Sequence, residues 1–116
     1  MNLFFIMGLT KTDLFTAEQN QIAQFTKVLG HPARIAILQH LIKIDSCVCG
    51  DLVEVIGLAQ PTISQHLKEL KKLGLIQGSI SGTRVCYCID AQAWQNMREN
   101  LLAFLASGPS HNPKCC

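Results

Sequence analysis

The stretch Gln60-Pro61-Thr62-Ile63-Ser64-Gln65-His66-Leu67-Lys68-Glu69-Leu70-Lys71-Lys72-Leu73-Gly74 decides the fold. Ile63, Leu67 and Leu70 recur at helical spacing and define one apolar face. Thr62, Gln65, Lys68, Glu69 and Lys72 fall on the outer faces. Pro61 suits the first turn of a helix and Gly74 suits its stop, so the spacing predicts a helix from Pro61 to about Leu73. Just upstream, Leu52, Val53 and Ile56 belong to a helix expected to begin near Ser46 and to end at Gly57. The link Leu58-Ala59-Gln60 joins the two. Just downstream, Leu75 to Ser79 and Arg84 to Ile89 read as two strands around the polar turn Ile80-Ser81-Gly82-Thr83. Two short helices on a tight link, followed at once by a hairpin, predict a helix-turn-helix with a wing.

The rest of the chain supplies a frame for this unit. A first helix is expected from Thr16 to Leu29, with Ile22, Phe25 and Leu29 on one stripe. Gly30-His31-Pro32 ends it and opens a second helix carrying Ile35, Leu38 and Ile42, widened by Ile37 and Leu41. A closing helix, Ala91 to Ala106, presents Trp94, Met97, Leu101, Leu102 and Leu105. The predicted fold is mainly α with a β-hairpin wing, in the order helix-helix-helix-helix-strand-strand-helix. Residues 1–15 read as an N-terminal extension, with Met1 and Met7 both eligible as the start. Residues 16–106 form one domain, and residues 107–116 a mobile tail.

Composition agrees with a single packed domain: 116 residues, 48% apolar and 16% charged. The net charge of +2 would not by itself suggest nucleic acid. The clustering of Lys68, Lys71, Lys72 and Arg84 does. No apolar run is long enough to span a bilayer and no secretory signal is recognisable, so a cytoplasmic location and no membrane partner are expected.

The exposed side of the Pro61 helix carries the chemistry of a DNA reader. Gln60, Thr62, Ser64, Gln65 and His66 lie in its N-terminal half, the part that approaches base edges. Gln pairs bidentately with adenine, and Ser or Thr contacts bases or phosphates. Lys68, Lys72 and Arg84 suit phosphate contacts, which position without reading sequence. The competing reading is the solvated face of an ordinary amphipathic helix. The order helix-turn-helix-hairpin favours double-stranded DNA.

Three motifs carry a family resemblance. Gly30-His31-Pro32-Ala33-Arg34-Ile35-Ala36-Ile37-Leu38 resembles the opening motif of the arsenic-repressor (ArsR/SmtB) family. Gln60 to Leu70, followed by Gly74-Leu75-Ile76, is similar to its recognition helix. Gly82-Thr83-Arg84-Val85-Cys86-Tyr87-Cys88-Ile89 resembles its Arg-then-Tyr wing. The resemblance implies a homodimer, packed through its first and last helices, that represses genes until an inducer binds. Trp94 and the Leu-rich seam offer apolar surface for such packing.

Six cysteines fall in three pairs: Cys47/Cys49, Cys86/Cys88 and Cys115/Cys116. Within each pair the residues are too close for an ordinary loop-stapling bridge, and paired thiols suit soft metals, metalloids or redox chemistry. The resemblance places Cys47-Val48-Cys49 where the family's arsenic and cadmium/lead sensors carry a similar Cys-Val-Cys at the start of a helix. There, residues i and i+2 point about 200° apart, so holding one ion would distort the first helical turn. The implied inducer is As(III) or Sb(III), with Cd(II) or Pb(II) as alternatives. A trivalent metalloid takes three thiolates, yet Leu52 and Val53 stand where the family's third cysteine follows, and Gly50 is an apparent insertion. Cys115 or Cys116 of the tail is the expected third ligand; a water or a small thiol is the alternative.

Cys86 and Cys88 alternate on a strand, roughly 6.6–7 Å apart at Cα, and read as strand residues, with a second thiol site as the alternative. His40 reads as a helix-surface residue and His31 as a structural one. No His lies between Asp90 and Ala106, so the family's Asp/His zinc site has no counterpart. No catalytic arrangement is recognisable, so an enzyme is not expected and no catalytic cofactor is implied. A thiol-based redox or persulfide-sensing repressor of the same fold is the alternative function.

Overall fold

Leu70, Leu75, Ile37 and Ile63 are almost wholly withdrawn from solvent, and the elements are arranged around them. The computed structural model describes residues 14–49, 52–81 and 84–114. Its elements are α1 (Ala17–Leu29), α2 (Pro32–Ile44), β1 (Val48–Cys49), α3 (Leu52–Ile56), α4 (Gln60–Lys72), β2 (Ile76–Ser81), β3 (Arg84–Ile89) and α5 (Ala91–Ala106). The expected order of helices, hairpin and closing helix is observed, with one addition. β1 pairs antiparallel with β3, making a three-stranded sheet in the order β1-β3-β2.

Local chemistry sets the boundaries. Thr16 caps α1 in a reciprocal box: its Oγ1 accepts from the Gln19 amide at 3.0 Å, and the Gln19 side chain accepts from the Thr16 amide at 3.0 Å. Pro32 and Pro61 both sit in first turns, where a missing N–H costs nothing. Asp90 caps α5 by accepting from the Ala93 amide at 2.9 Å. Gly74, at φ +86°, turns the chain out of α4 into β2, a backbone setting open mainly to glycine.

The buried set joins Phe25 and Val28 of α1, Ile37, Leu38 and Leu41 of α2, Leu52 of α3, Ile63, Leu67 and Leu70 of α4, Leu75 and Ile76, and Met97 of α5. Each α4 residue expected on the apolar face is there. Burying such side chains stabilises by about 1.5–3 kcal/mol each, and this layer holds α4 against α2. Ile35 and Ile42, read from sequence as sharing the buried stripe of Leu38, are instead exposed at the border of a groove that Leu38 also lines. His40, read as a surface residue, is half-buried, and its Nε2 is buried without a hydrogen-bond partner among the described residues.

The sequence also placed Cys47 and Cys49 in the first turn of a helix running from Ser46. The structure differs: α2 ends at a left-handed Asp45, residues 48–49 form β1, and the next described helix is α3, Leu52–Ile56. Cross-strand pairing with β3 outweighs the weak helical preference of Cys-Val-Cys, whose middle residue is β-branched.

The hairpin is held from several directions. The Leu75 amide donates to Leu70 O at 3.2 Å, and the Asp90 amide to Leu75 O at 2.9 Å. Gly78 faces Tyr87 across the ladder, where a Cβ would lie 2.5 Å from Cys86 O and 2.7 Å from the Tyr87 ring. Only glycine fits that close approach. Burial there pushes the Tyr87 hydroxyl above its usual range.

One polar tie crosses the helix layer. Arg34 is buried; its guanidinium donates from Nη1 to Val28 O at 3.0 Å and from Nε to His66 Nδ1 at 3.1 Å. His66 must accept at Nδ1, so the neutral ring is favoured. Desolvation lowers its pKa from 6.5, with Arg34 and then His31 pushing the same way. Between the lowered value and 6.5 the unfolded chain binds more protons. The contribution of this tie is therefore complete above 6.5 and fades as pH falls through that window. An NMR titration should find the His66 imidazole titrating below 6.5; a value at or above 6.5 would contradict the Arg34 contact.

Candidate nucleic-acid interface and thiol cluster

α4 carries a polar outer face over its buried stripe. Gln60, Thr62, Ser64, Gln65, Lys68 and Lys72 are all exposed. Three of these side chains are engaged along the helix: the Gln60 amide donates to Ser64 Oγ at 3.0 Å and the Gln65 amide to Glu69 Oε1 at 3.4 Å. Such i,i+4 contacts between exposed groups are weak enough to exchange for a base edge. His66 stands apart, half-buried with its Nδ1 taken by Arg34, and 5.5 Å from the His31 ring. Of the proposed readers, it is the one turned toward the helix layer.

At the other end of α4, Lys71 donates to Gly78 O at 3.1 Å, tying the helix end to β2. Arg84 begins β3, opposite Ser81, so the backbone sets it at the turn end of the hairpin. The helix and the hairpin thus form one unit, with Lys68 and Lys72 along the helix and Arg84 at the wing.

The cysteines meet in the sheet. Residues 48 and 49 of β1 pair with Tyr87 and Cys86 of β3. Continuing the register by one residue sets Cys47 opposite Cys88, and these two are joined by a disulfide with Cα atoms 4.2 Å apart. Cys86, opposite Cys49, is disulfide-bonded as well. The sequence argument against a bridge holds within each pair; the bonding runs between pairs. Cys88 is therefore not an ordinary strand residue. Cys115 and Cys116 lie outside the described residues.

The missed signal was the matched spacing. Two Cys-x-Cys segments, each with the two-residue period of a strand, align rung for rung when the strands run antiparallel. Among the described residues, no three His, Cys, Asp or Glu side chains group as metal ligands. The donor chemistry nonetheless suits a thiophilic ion once the thiols are free, since four cysteine positions occupy two rungs separated only by the Val48–Tyr87 pair.

A cavity of about 510 Å³ opens beside the bridge, lined by Cys47, Cys88, Leu41, Ile42, Trp94 and Gln95 among others. A second groove, of about 430 Å³, is lined chiefly by Leu29, Ile35, Leu38, Met97, Leu101 and Leu102 of α1, α2 and α5. Among the described residues, no helix is long and apolar enough to cross a membrane.

Residues 31–77 match the family model of bacterial regulatory proteins of the arsR family. The HTH-type transcriptional repressor SmtB of Mycobacterium tuberculosis is 41% identical over 64 residues, covering 55% of this chain and 47% of that protein. The chain thus spans about half the length of that relative. The HTH-type transcriptional regulator YgaV of Escherichia coli is 31% identical over 85 residues, covering 73% of this chain and 86% of that protein. In fold, the chain is similar to the homodimeric winged helix-turn-helix DNA-binding domain Mb0332 of Mycobacterium bovis. The TM-score is 0.59 at 21% identity, covering 92% of this chain and 97% of that one. These relatives are transcription regulators rather than enzymes. With its winged helix-turn-helix fold and these relatives, the chain belongs to the arsR family of bacterial regulatory proteins.

Proposed function

We propose that this chain is a homodimeric, DNA-binding transcriptional repressor whose cysteines receive the releasing signal. The observation that carries the reading is the face of α4: exposed Thr62, Ser64, Gln65 and Lys68 stand over a buried Ile63-Leu67-Leu70 stripe, with the hairpin fixed beside it. In this reading Gln65 reads a base edge, Gln60, Thr62 and Ser64 support it, and Lys68, Lys72 and Arg84 hold phosphates. His66 orients the helix through Arg34 and reaches DNA only at its rim.

The dimer packs through α1 and α5. Leu102 and Leu105 are 54% and 68% exposed, and Ile42 is 49% exposed beside the same groove. An apolar strip of this kind suits a second copy of the chain, as in the homodimeric domain of similar fold.

The inducer is a thiophilic ion, with As(III) or Sb(III) first and Cd(II) or Pb(II) as alternatives. Cys47 and Cys49 are its first ligands, and the tail cysteines, Cys115 or Cys116, offer a third. A second reading, thiol-redox sensing, is favoured by the Cys47–Cys88 bond itself.

Three measurements test these assignments. Gln65→Ala should weaken binding to the chain's own promoter DNA by about 1–3 kcal/mol in fluorescence anisotropy; unchanged sequence preference would remove Gln65 as a reader. Leu102→Asp should shift the chain toward monomer in sedimentation velocity, and a persistent dimer would move the interface elsewhere. Arsenite should release the reduced wild type from DNA and leave Cys47→Ser bound; equal release would show that Cys47 is not a ligand.

A further inference from the structure

We propose that Cys47 and Cys88 form a reversible dithiol–disulfide couple that exchanges with a low-molecular-weight dithiol through the adjacent cavity and sets how the wing is held. The proposal deepens the thiol-input reading above and rests on it. Three observations converge. The β1–β3 register brings the two residues opposite each other, with Cα atoms 4.2 Å apart, so the sheet itself aligns the pair. Both residues line the cavity of about 510 Å³, whose walls include Leu41, Ile42, Trp94 and Gln95. Cys47 is exposed while Cys88 is half-buried, so an incoming thiolate meets Cys47 first.

The exchange balances without any group the chain lacks except the small dithiol itself. One thiolate of that dithiol attacks the Cys47 sulfur; the S–S bond breaks and Cys88 leaves as thiolate. The second thiolate of the dithiol then attacks the mixed disulfide, closes a cyclic disulfide and expels Cys47. The small dithiol is oxidised by two electrons, the protein pair is reduced by two, and the dithiol's two protons end on Cys47 and Cys88. Re-oxidation runs the same steps backwards with a cyclic disulfide.

The consequence for DNA follows from topology. The bridge spans 41 positions, and the loop it closes contains α3, α4, β2 and the turn end of β3. Every residue assigned above to DNA contact lies inside that loop. Bridged, the reading helix and wing are held to the end of α2 by a covalent bond. Reduced at this bridge, they lose the covalent tie to Cys47 and keep the two-residue β1 ladder, the separate bond at Cys86 and the core packing of α4 on α2.

The full chain, equilibrated in dithiothreitol buffers of graded oxidation, quenched and alkylated, is mapped by mass, and its promoter affinity is read in parallel. Cys47 and Cys88 should become protected together in one transition, and promoter affinity should change at least fivefold across it. Cys88→Ser should leave Cys47 alkylated throughout, and Cys47→Ser should do the same for Cys88, with the affinity change lost in both. Gln95→Trp, narrowing the cavity, should slow reduction of the bridge by dithiothreitol about tenfold. Independent protection of the two cysteines, an affinity response retained in both Ser variants, or an unslowed Gln95→Trp would overturn the proposal. A chain that binds no promoter DNA in either state would sink the repressor reading, while the couple is still decided by the alkylation map.

Discussion

The register of β3 is the constraint on which the rest of the site depends. This one strand pairs with β2 on one side and β1 on the other, begins at Arg84, and carries Cys86 and Cys88. Its position is fixed at both ends of the hairpin base. Leu75 bonds back to Leu70 and accepts from Asp90, and Gly78 admits the close approach of Tyr87. A slip of one residue would drive a side chain into that contact and move both cysteines off their partners. Backbone pairing is therefore what assembles the thiols; the covalent bond follows from it.

That geometry joins two functions that sequence alone keeps apart. The core layer of α2 and α4 aims the polar face of α4 outward, and Lys71 and Leu75 fasten the wing to the end of the same helix. A change at Cys88 thus reaches the DNA-reading unit through one strand and one helix end. No long relay is required. The modest net charge of +2 fits the proposed reading, in which the local placement of Lys68, Lys72 and Arg84, rather than bulk charge, would supply phosphate contacts.

Much of this was legible in the sequence because it is local. The Ile63-Leu67-Leu70 stripe, the Gly74 stop, the Pro32 and Pro61 helix starts and the limits of α5 are set by spacing and capping within a few residues. What was not legible is long-range. The segment Ser46–Cys49 is too short for periodicity to separate strand from helix, and its conformation comes from a partner about 40 positions away. Ile35 and Ile42 show the same limit: helical spacing marks them as apolar, but only the packing of α5 against α1 shows that they border a groove and lie outside the core. His66 shows it again, since its spacing suits a reader and its partner is the distant Arg34.

The most direct test of the account is an NMR measurement of contacts between residues 47 and 88 in the reduced full chain. If strand register assembles the cysteines, α-proton contacts between Cys47 and Cys88 persist with the bond broken, and residues 46–49 show extended-chain patterns. Helical contacts through Ser46–Cys49, with no approach to Cys88, would contradict it and return the thiols to the first turn of a helix.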